Sequence, residues 1–188
     1  MKKKYRAFAR VLCYDSQVYI LAYFMHFSTY WNRSKMYSTT KTAMLNGIHG
    51  EMVTVEADLS TGMPMFELVG YLSAEVKEAR ERVKTALHNC GIALPAKRIT
   101  VNLYPANLRK YGTGFDLPIA VALLLAMGIG QEELAGDCLF VGELSLNGQI
   151  IPVTGVLPIV CDGKTAGVKK FIVPRENEAE AKLVSGVE

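Results

Sequence analysis

The chain has 188 residues, of which 50% are hydrophobic and 21% charged, a composition that excludes a disordered or fibrous polypeptide and fits one well-buried domain with some chain left over. The net charge of +3 is uneven: residues 1–35 hold seven Lys or Arg and one Asp, so that of the totals of 21 and 18 there remain 14 basic and 17 acidic side chains. The basic balance therefore comes from the N-terminal segment and carries no information about nucleic-acid affinity in the rest.

Residues 1–35 begin like a signal peptide, with Lys2, Lys3 and Lys4 ahead of apolar residues. Asp15, Ser16 and Gln17 interrupt the apolar run, and the clean stretch 18–27 is half of what a spanning helix needs, about 20 residues. No small-residue cleavage site follows in place. Neither a membrane span nor a cleaved leader is expected. Composition shifts and the charge changes sign at Met36, so 1–35 reads as an extension, or as sequence upstream of the true start, and 36–188 as the domain.

The segment 44–59 reads as a strand pair or one long bent strand, with Val53, Val55 and Ala57 alternating against Met52, Thr54 and Glu56. Ser60-Thr61-Gly62-Met63-Pro64 is a loop, and 65–69 a second strand. A helix follows, with Ser73 at its N-cap and Gly91 at C′. Val76, Ala79, Val83, Ala86, Leu87 and Cys90 form its apolar stripe, opposite Lys77, Arg80, Glu81 and Lys84. The alternation of Ile99, Val101 and Leu103 predicts a strand over 98–104, then a loop over 105–114. Asp116 has the position of an N-cap for a helix over 117–127, apolar all round and so central and buried. Asn147-Gly148 predicts a tight turn joining strands 138–144 and 149–153. A helix over 156–166, broken by Gly163, a strand over 170–173 and a helix over 176–183 complete the chain. This mixture gives an α/β or α+β domain. The chain stops at Glu188 without a closing element, as a fragment would.

The residues offer candidates for four chemistries. The cysteines Cys13, Cys90, Cys138 and Cys161 form no CxxC pair and none lies three to five residues from a His, against a zinc site and in favour of a reducing, cytoplasmic compartment. Asp162-Gly163-Lys164-Thr165 is like the end of a P-loop, but the first Gly of that motif falls on Pro158, which has no N–H to offer a phosphate, so no nucleotide site is expected. Thr113 with Lys110, or Ser145 with a distant base, are weak nucleophile candidates. Lys97-Arg98, Arg109-Lys110-Tyr111 and Lys169-Lys170 are basic clusters; Arg109-Lys110-Tyr111, with its aromatic, suits phosphate contact and base stacking best. His26, His49 and His88 pair with no carboxylate at useful spacing.

Gly114-Phe115-Asp116-Leu117-Pro118-Ile119-Ala120 and Gly142-Glu143-Leu144…Gly148…Gly155 together resemble the proteolytic domain of the Lon family. The resemblance places the nucleophilic Ser on Ile119 and the Lys base on Leu157, neither of which can exchange a proton. With Val76-Lys77-Glu78-Ala79-Arg80, Pro95-Ala96-Lys97-Arg98-Ile99, Pro105-Ala106 and Val173-Pro174-Arg175-Glu176-Asn177, residues 36–188 resemble the N-terminal domain of the magnesium-chelatase-like AAA+ ATPases, the YifB/ComM family. The resemblance implies a two-layer α/β sandwich of the ribosomal-protein-like type. It also implies a cytoplasmic parent that uses ATP and Mg2+ in an AAA+ module outside this chain, a ring, expected to be a hexamer, and DNA as partner in branch migration, with metal insertion into a tetrapyrrole as the alternative. Gly114, Asp116, Pro118, Gly142, Glu143, Gly148 and Gly155 are its structural signature; Arg109, Lys110, Tyr111, Lys97 and Arg98 are the candidate DNA contacts.

Overall fold

The computed structural model describes residues 36–188; the expectations for residues 1–35 lie outside the described residues. The framework is a six-stranded mixed sheet in the order β3-β4-β2-β1-β5-β8. Strand β1 (Tyr37–Asn46) turns through Gly47 and Ile48 into β2 (His49–Ser60), its antiparallel partner. Strand β4 (Arg98–Tyr104) pairs antiparallel with β2 and parallel with the edge strand β3 (Met65–Val69). On the other side β5 (Cys138–Phe140) runs parallel to β1, and β8 (Lys170–Ile172) parallel to β5. A separate hairpin joins β6 (Glu143–Leu144) and β7 (Ile150–Ile151).

One face of the sheet carries the main core. Val53, Val55, Ala57, Leu59, Ile99, Val101 and Leu103 alternate onto it from β2 and β4. They pack under α1 (Ala74–Asn89) and α2 (Asp116–Ala126). Helix α1 buries Val76, Ala79, Val83, Ala86 and Leu87, as its sequence stripe requires. It stops where Gly91 takes φ 81° and the Ile92 N–H reaches back to the Leu87 carbonyl. Helix α2 is buried on every side, as its uninterrupted apolar run demands. Helix α4 (Val156–Thr165) covers part of the opposite face, above Ala43 and Met52. Short helices α3 (Glu132–Ala135) and α5 (Glu178–Ala181) and a 3-10 turn (Arg175–Asn177) complete the described chain. The expected α/β sandwich is thus present, with α4 added across one end of its open face.

Several expectations need correction. Strand β1 starts at Tyr37, not near Met44, because its inward residues are the hydroxyls Ser38, Thr40 and Thr42 rather than hydrocarbons. Ser38 Oγ donates to the Ala122 carbonyl at 2.6 Å and Thr40 Oγ1 to that of Pro118 at 3.1 Å, so the buried α2 backbone supplies their partners. The segment 138–144 is not one strand of the hairpin: β5 joins the main sheet, and the Asn147-Gly148 turn closes only the short β6–β7 ladder. Gly163 does not break α4. It lies inside the helix, where a Cβ would come within 2.7 Å of Phe171 Cε1; the glycine lets α4 approach β8.

Candidate functional site

The two stretches that resemble the Lon catalytic motifs meet around the N-terminus of α2. Asp116 does not cap the helix: it is the first helical residue, Phe115 holds the cap position, and no side chain caps the turn. Its carboxylate is fully buried and gripped by Arg82 of α1, Nε to Oδ2 at 2.7 Å and Nη2 to Oδ1 at 2.9 Å. The Leu144 N–H adds a third donor at 3.2 Å. Burial pushes the Asp116 carboxyl above its ordinary range, while the Arg82 bonds and charge pull the other way. The same hydrogen bonds raise Arg82. This fork ties α1, α2 and β6 into one unit. The sequence held a sign of it: Arg82 lies three residues after Ala79 and four before Ala86, beside the apolar stripe of α1.

Around this pair the chain is closed on itself. Leu117 N–H donates to the Gly142 carbonyl at 3.0 Å, Gly142 N–H to Gly114 at 3.1 Å, and Asp116 N–H to Thr113 at 3.3 Å. Pro118 has no N–H, and Ile119 N–H already bonds the Phe115 carbonyl. A helix N-terminus normally offers free donors to an oxyanion; here the Asp116 and Leu117 N–H groups are spent within the chain. Thr113 Oγ1 is taken by Glu143 Oε2 at 2.5 Å, so Thr113 is no free nucleophile. Gly142 admits the fold by lacking a side chain: a Cβ there would lie 2.9 Å from Ile150 Cγ2 and 3.2 Å from Leu117 Cδ2. Gly114 is looser, its nearest neighbour being Val141 Cγ1 at 3.4 Å.

Ile119, at the position of the nucleophile, is 0% exposed inside the main core. Leu157, at the position of the base, lies half-buried in the first turn of α4, which packs on the other face of the sheet. Its N–H donates to Glu180 Oε1 at 2.8 Å, a tertiary cap for α4. Asn177 completes the clamp, accepting from the Val153 N–H at 3.0 Å and donating to the Val153 carbonyl at 2.8 Å. Gly155 enters α4 with φ 79°, its Cα side against Leu45, where a Cβ would meet Cδ2 at 2.6 Å. Gly148 has φ 87°, and a Cβ there would fall 2.2 Å from Cys90 Sγ, so the hairpin sits directly on the end of α1. Ser145 is engaged with its own turn, accepting from the Gln149 N–H at 3.1 Å.

The candidate DNA contacts are not one patch. Lys97 and Arg98 stand at the start of β4, and Arg109, Lys110 and Tyr111 follow its end, about 20 Å away along the strand. Arg98 is held by Glu67 at 3.3 Å. Lys110 is fully buried, its Nζ donating to the Pro105 carbonyl, and burial lowers its pKa; it cannot meet a phosphate. Its role is to pin the loop, helped by backbone bonds from Lys110 N–H to Tyr71 and from Ser73 N–H to Lys110. Arg109 and Tyr111 remain exposed, Arg109 over the Tyr71 ring at 5.9 Å and Tyr111 Oη near Asn46 Oδ1 at 3.4 Å. Lys169 and Lys170 lie at the far edge of the sheet. Asp162 to Thr165 fall within α4, where Asp162 accepts from the Gly50 N–H at 2.6 Å and lies 3.6 Å from His49 Nδ1. His49 therefore does have a carboxylate partner, supplied from 113 positions away by the packing of α4 on the hairpin. Cys138 is buried, and its thiol is pushed up to about 11 by desolvation.

Among the described residues no group of three or more His, Cys, Asp or Glu could hold a metal ion, and no helix is long and apolar enough to cross a membrane. A model of the family described as subunit ChlI of Mg-chelatase matches residues 55–177. The chain belongs to this family. Competence protein ComM of Haemophilus influenzae is 44% identical over 139 residues, covering 74% of this chain and 27% of that protein. The uncharacterised protein YifB of Escherichia coli is 40% identical over 153 residues, 79% of this chain and 29% of its own length. A Lon protease of Mycolicibacterium smegmatis is 26% identical over 142 residues, 72% of this chain and 18% of the protease. The chain thus spans under a third of the length of these curated relatives.

Proposed function

We propose that this ChlI-like, Lon-like chain is a non-catalytic domain of a ComM-type AAA+ ATPase, cytoplasmic, in which it helps to assemble protomers into a hexameric ring and to guide DNA during branch migration. ATP and Mg2+ belong to the AAA+ module of that parent. The observation that supports the absence of proteolysis is Ile119, an aliphatic side chain with no exposed surface at the nucleophile position, at a helix N-terminus where the Asp116, Leu117 and Ile119 N–H groups are used internally. The name of the Haemophilus influenzae relative, competence protein ComM, supports the ComM-type reading.

The test is direct. The protein is expected to leave casein uncleaved and to resist serine-directed acylating probes; labelling at any Ser or Thr overturns the reading. Ile119→Ser with Leu157→Lys is expected to restore no labelling either, since the new hydroxyl would face core rather than substrate. For the assembly role, the parent with ATP and Mg2+ is expected to sediment as a hexamer and to migrate branched DNA. The family description favours a second reading, metal insertion into a tetrapyrrole. ATPase stimulation by a tetrapyrrole and not by branched DNA would select it.

A further inference from the structure

The outer edge of β8 carries the first rung of a further ladder. Glu188 N–H donates to the Lys169 carbonyl at 2.8 Å, and Phe171 N–H donates to the Glu188 carbonyl at 2.8 Å. One residue bonded to both neighbours of its opposite number is the pattern of parallel pairing, here with Glu188 opposite Lys170. Strand β8 itself runs parallel to β5, and β5 to β1, so the direction carries on across the sheet. The approach to this rung is fixed by several contacts. Lys164 of α4 donates to the Ser185 carbonyl at 2.6 Å, Gly186 turns the chain at φ 77°, and Val184 and Val187 pack against the core under α4. On the inner side of β8 the Ile172 carbonyl accepts from the Val141 N–H. Backbone groups alternate along a strand, so the Phe171 carbonyl and the Val173 N–H are directed to the outer edge. Among the described residues neither has a hydrogen-bond partner.

We propose that Glu188 opens a seventh strand of the main sheet, and that the segment following it in the parent runs along the outer edge of β8. The inference rests on the reading above of this chain as part of a longer ATPase, and it locates the connection to the rest of that protein. Continuity and register decide the occupant. The next rung requires the second residue after Glu188, with its N–H on the Phe171 carbonyl and its carbonyl on the Val173 N–H. The pleat then sets the faces. Phe171 lies against Gly163 of α4, whereas Ile172 packs against the main core. The first residue after Glu188 falls beside Phe171 and two positions from Val187, on the α4 face, and is expected to be apolar. The second falls beside Ile172. The added strand covers an edge that would otherwise present unpaired backbone groups. It also makes the link to the AAA+ module a hydrogen-bonded strand rather than a loose tether.

The experiment compares amide hydrogen exchange in the 188-residue protein and in the parent. The Phe171 N–H is expected to be protected in both. The Val173 N–H is expected to exchange about 2- to 13-fold more slowly in the parent, the equivalent of one backbone hydrogen bond. Proline at the second position after Glu188 has no N–H for the Phe171 carbonyl and is expected to abolish that added protection. Proline at the first position, whose N–H would point away from β8, is expected to retain it. Equal exchange of Val173 in the two proteins overturns the seventh strand; if that same parent assembles as a hexamer and migrates branched DNA, the reading of the parent stands without it. A parent that protects Val173 but neither assembles nor moves DNA supports the strand and overturns that reading. Protection of Val173 in the 188-residue protein that vanishes on dilution assigns the edge to a second copy and overturns the proposal.

Discussion

The α2 N-terminus and the 109–111 loop beside the end of β3 are both built from loops, a few glycines and a buried charge, yet they end in opposite states. At α2 the charge is Asp116, and it draws everything inward: Arg82, the Leu144 N–H and the turn about Gly142. In the 109–111 loop the charge is Lys110, whose Nζ donates to the Pro105 carbonyl, while its neighbours Arg109 and Tyr111 stay exposed. A region that resembles a catalytic centre is sealed into scaffold, and a region with no catalytic resemblance presents the exposed aromatic surface. Resemblance to a catalytic motif here marks a tightly bonded part of the scaffold, and the exposed aromatic side chains lie elsewhere.

The largest effect that sharpens this contrast comes from Arg82. Arg82→Ala would leave the Asp116 carboxylate buried without its counter-ion, a loss of about 3–5 kcal/mol in denaturant unfolding at neutral pH. Burial already raises the Asp116 carboxyl, and without Arg82 nothing but the Leu144 N–H opposes that rise. A folded pKa above the unfolded one means that protonation favours folding, so stability is lost as pH climbs through the folded value. The deficit of the variant should therefore shrink as pH falls toward the unfolded carboxyl range. A deficit independent of pH would show that Arg82 acts by packing alone.

Gly148→Ala comes next. It would force a Cβ to 2.2 Å from Cys90 Sγ in a backbone at φ 87°, and a cost on the order of 2–4 kcal/mol follows from strain plus clash. The double variant Gly148→Ala with Cys90→Ala should recover the clash and keep the strain. Full recovery would mean that the left-handed backbone relaxes freely.

Thr42→Val should act in the opposite direction. Thr42 Oγ1 is buried with no hydrogen-bond partner, unlike Ser38 and Thr40 on the same strand face. Replacing the hydroxyl by a methyl removes an uncompensated polar group, and thermal unfolding should show a gain of about 1 kcal/mol. A loss instead would point to an internal water bonded to Thr42.

Legibility followed sequence distance. The β4 span, the α1 stripe and the all-round burial of α2 were open to reading because each is written in local period. Asp116 was misread because an acidic residue ahead of an apolar helix is the mark of a cap, and the partner that decides otherwise, Arg82, lies 34 positions away. Lys110 was misread for a like reason: a loop lysine is solvated by default, and only the cross-bridge to Leu72 shows that this loop is folded inward. The parallel pairing of β5 with β1 left no local trace, whereas the Asn-Gly turn beside it did. Tyr71 is silent in the sequence because it belongs to no basic cluster; its contact with Arg109 depends on the bridge between Leu72 and Lys110.

The smallest effect decides whether the Tyr71 ring is surface or structure. Tyr71 is 55% exposed, and its described ring contact is the Arg109 guanidinium. An exposed cation–π pair contributes about 0.5–1 kcal/mol, and truncating a half-exposed side chain forfeits only part of its burial. Tyr71→Ala should therefore lower stability by no more than about 1 kcal/mol in the denaturant experiment that reads Arg82→Ala. The backbone bonds of Tyr71 and Ser73 to Lys110 do not depend on the ring, so the loop should keep its path. Near-wild-type stability would show that the ring is surface and that the backbone bonds hold the loop without it. A loss as large as that of Arg82→Ala would erase the contrast, because the ring would then be holding the loop in place, and the two regions would differ only in how much of their scaffold is visible from outside.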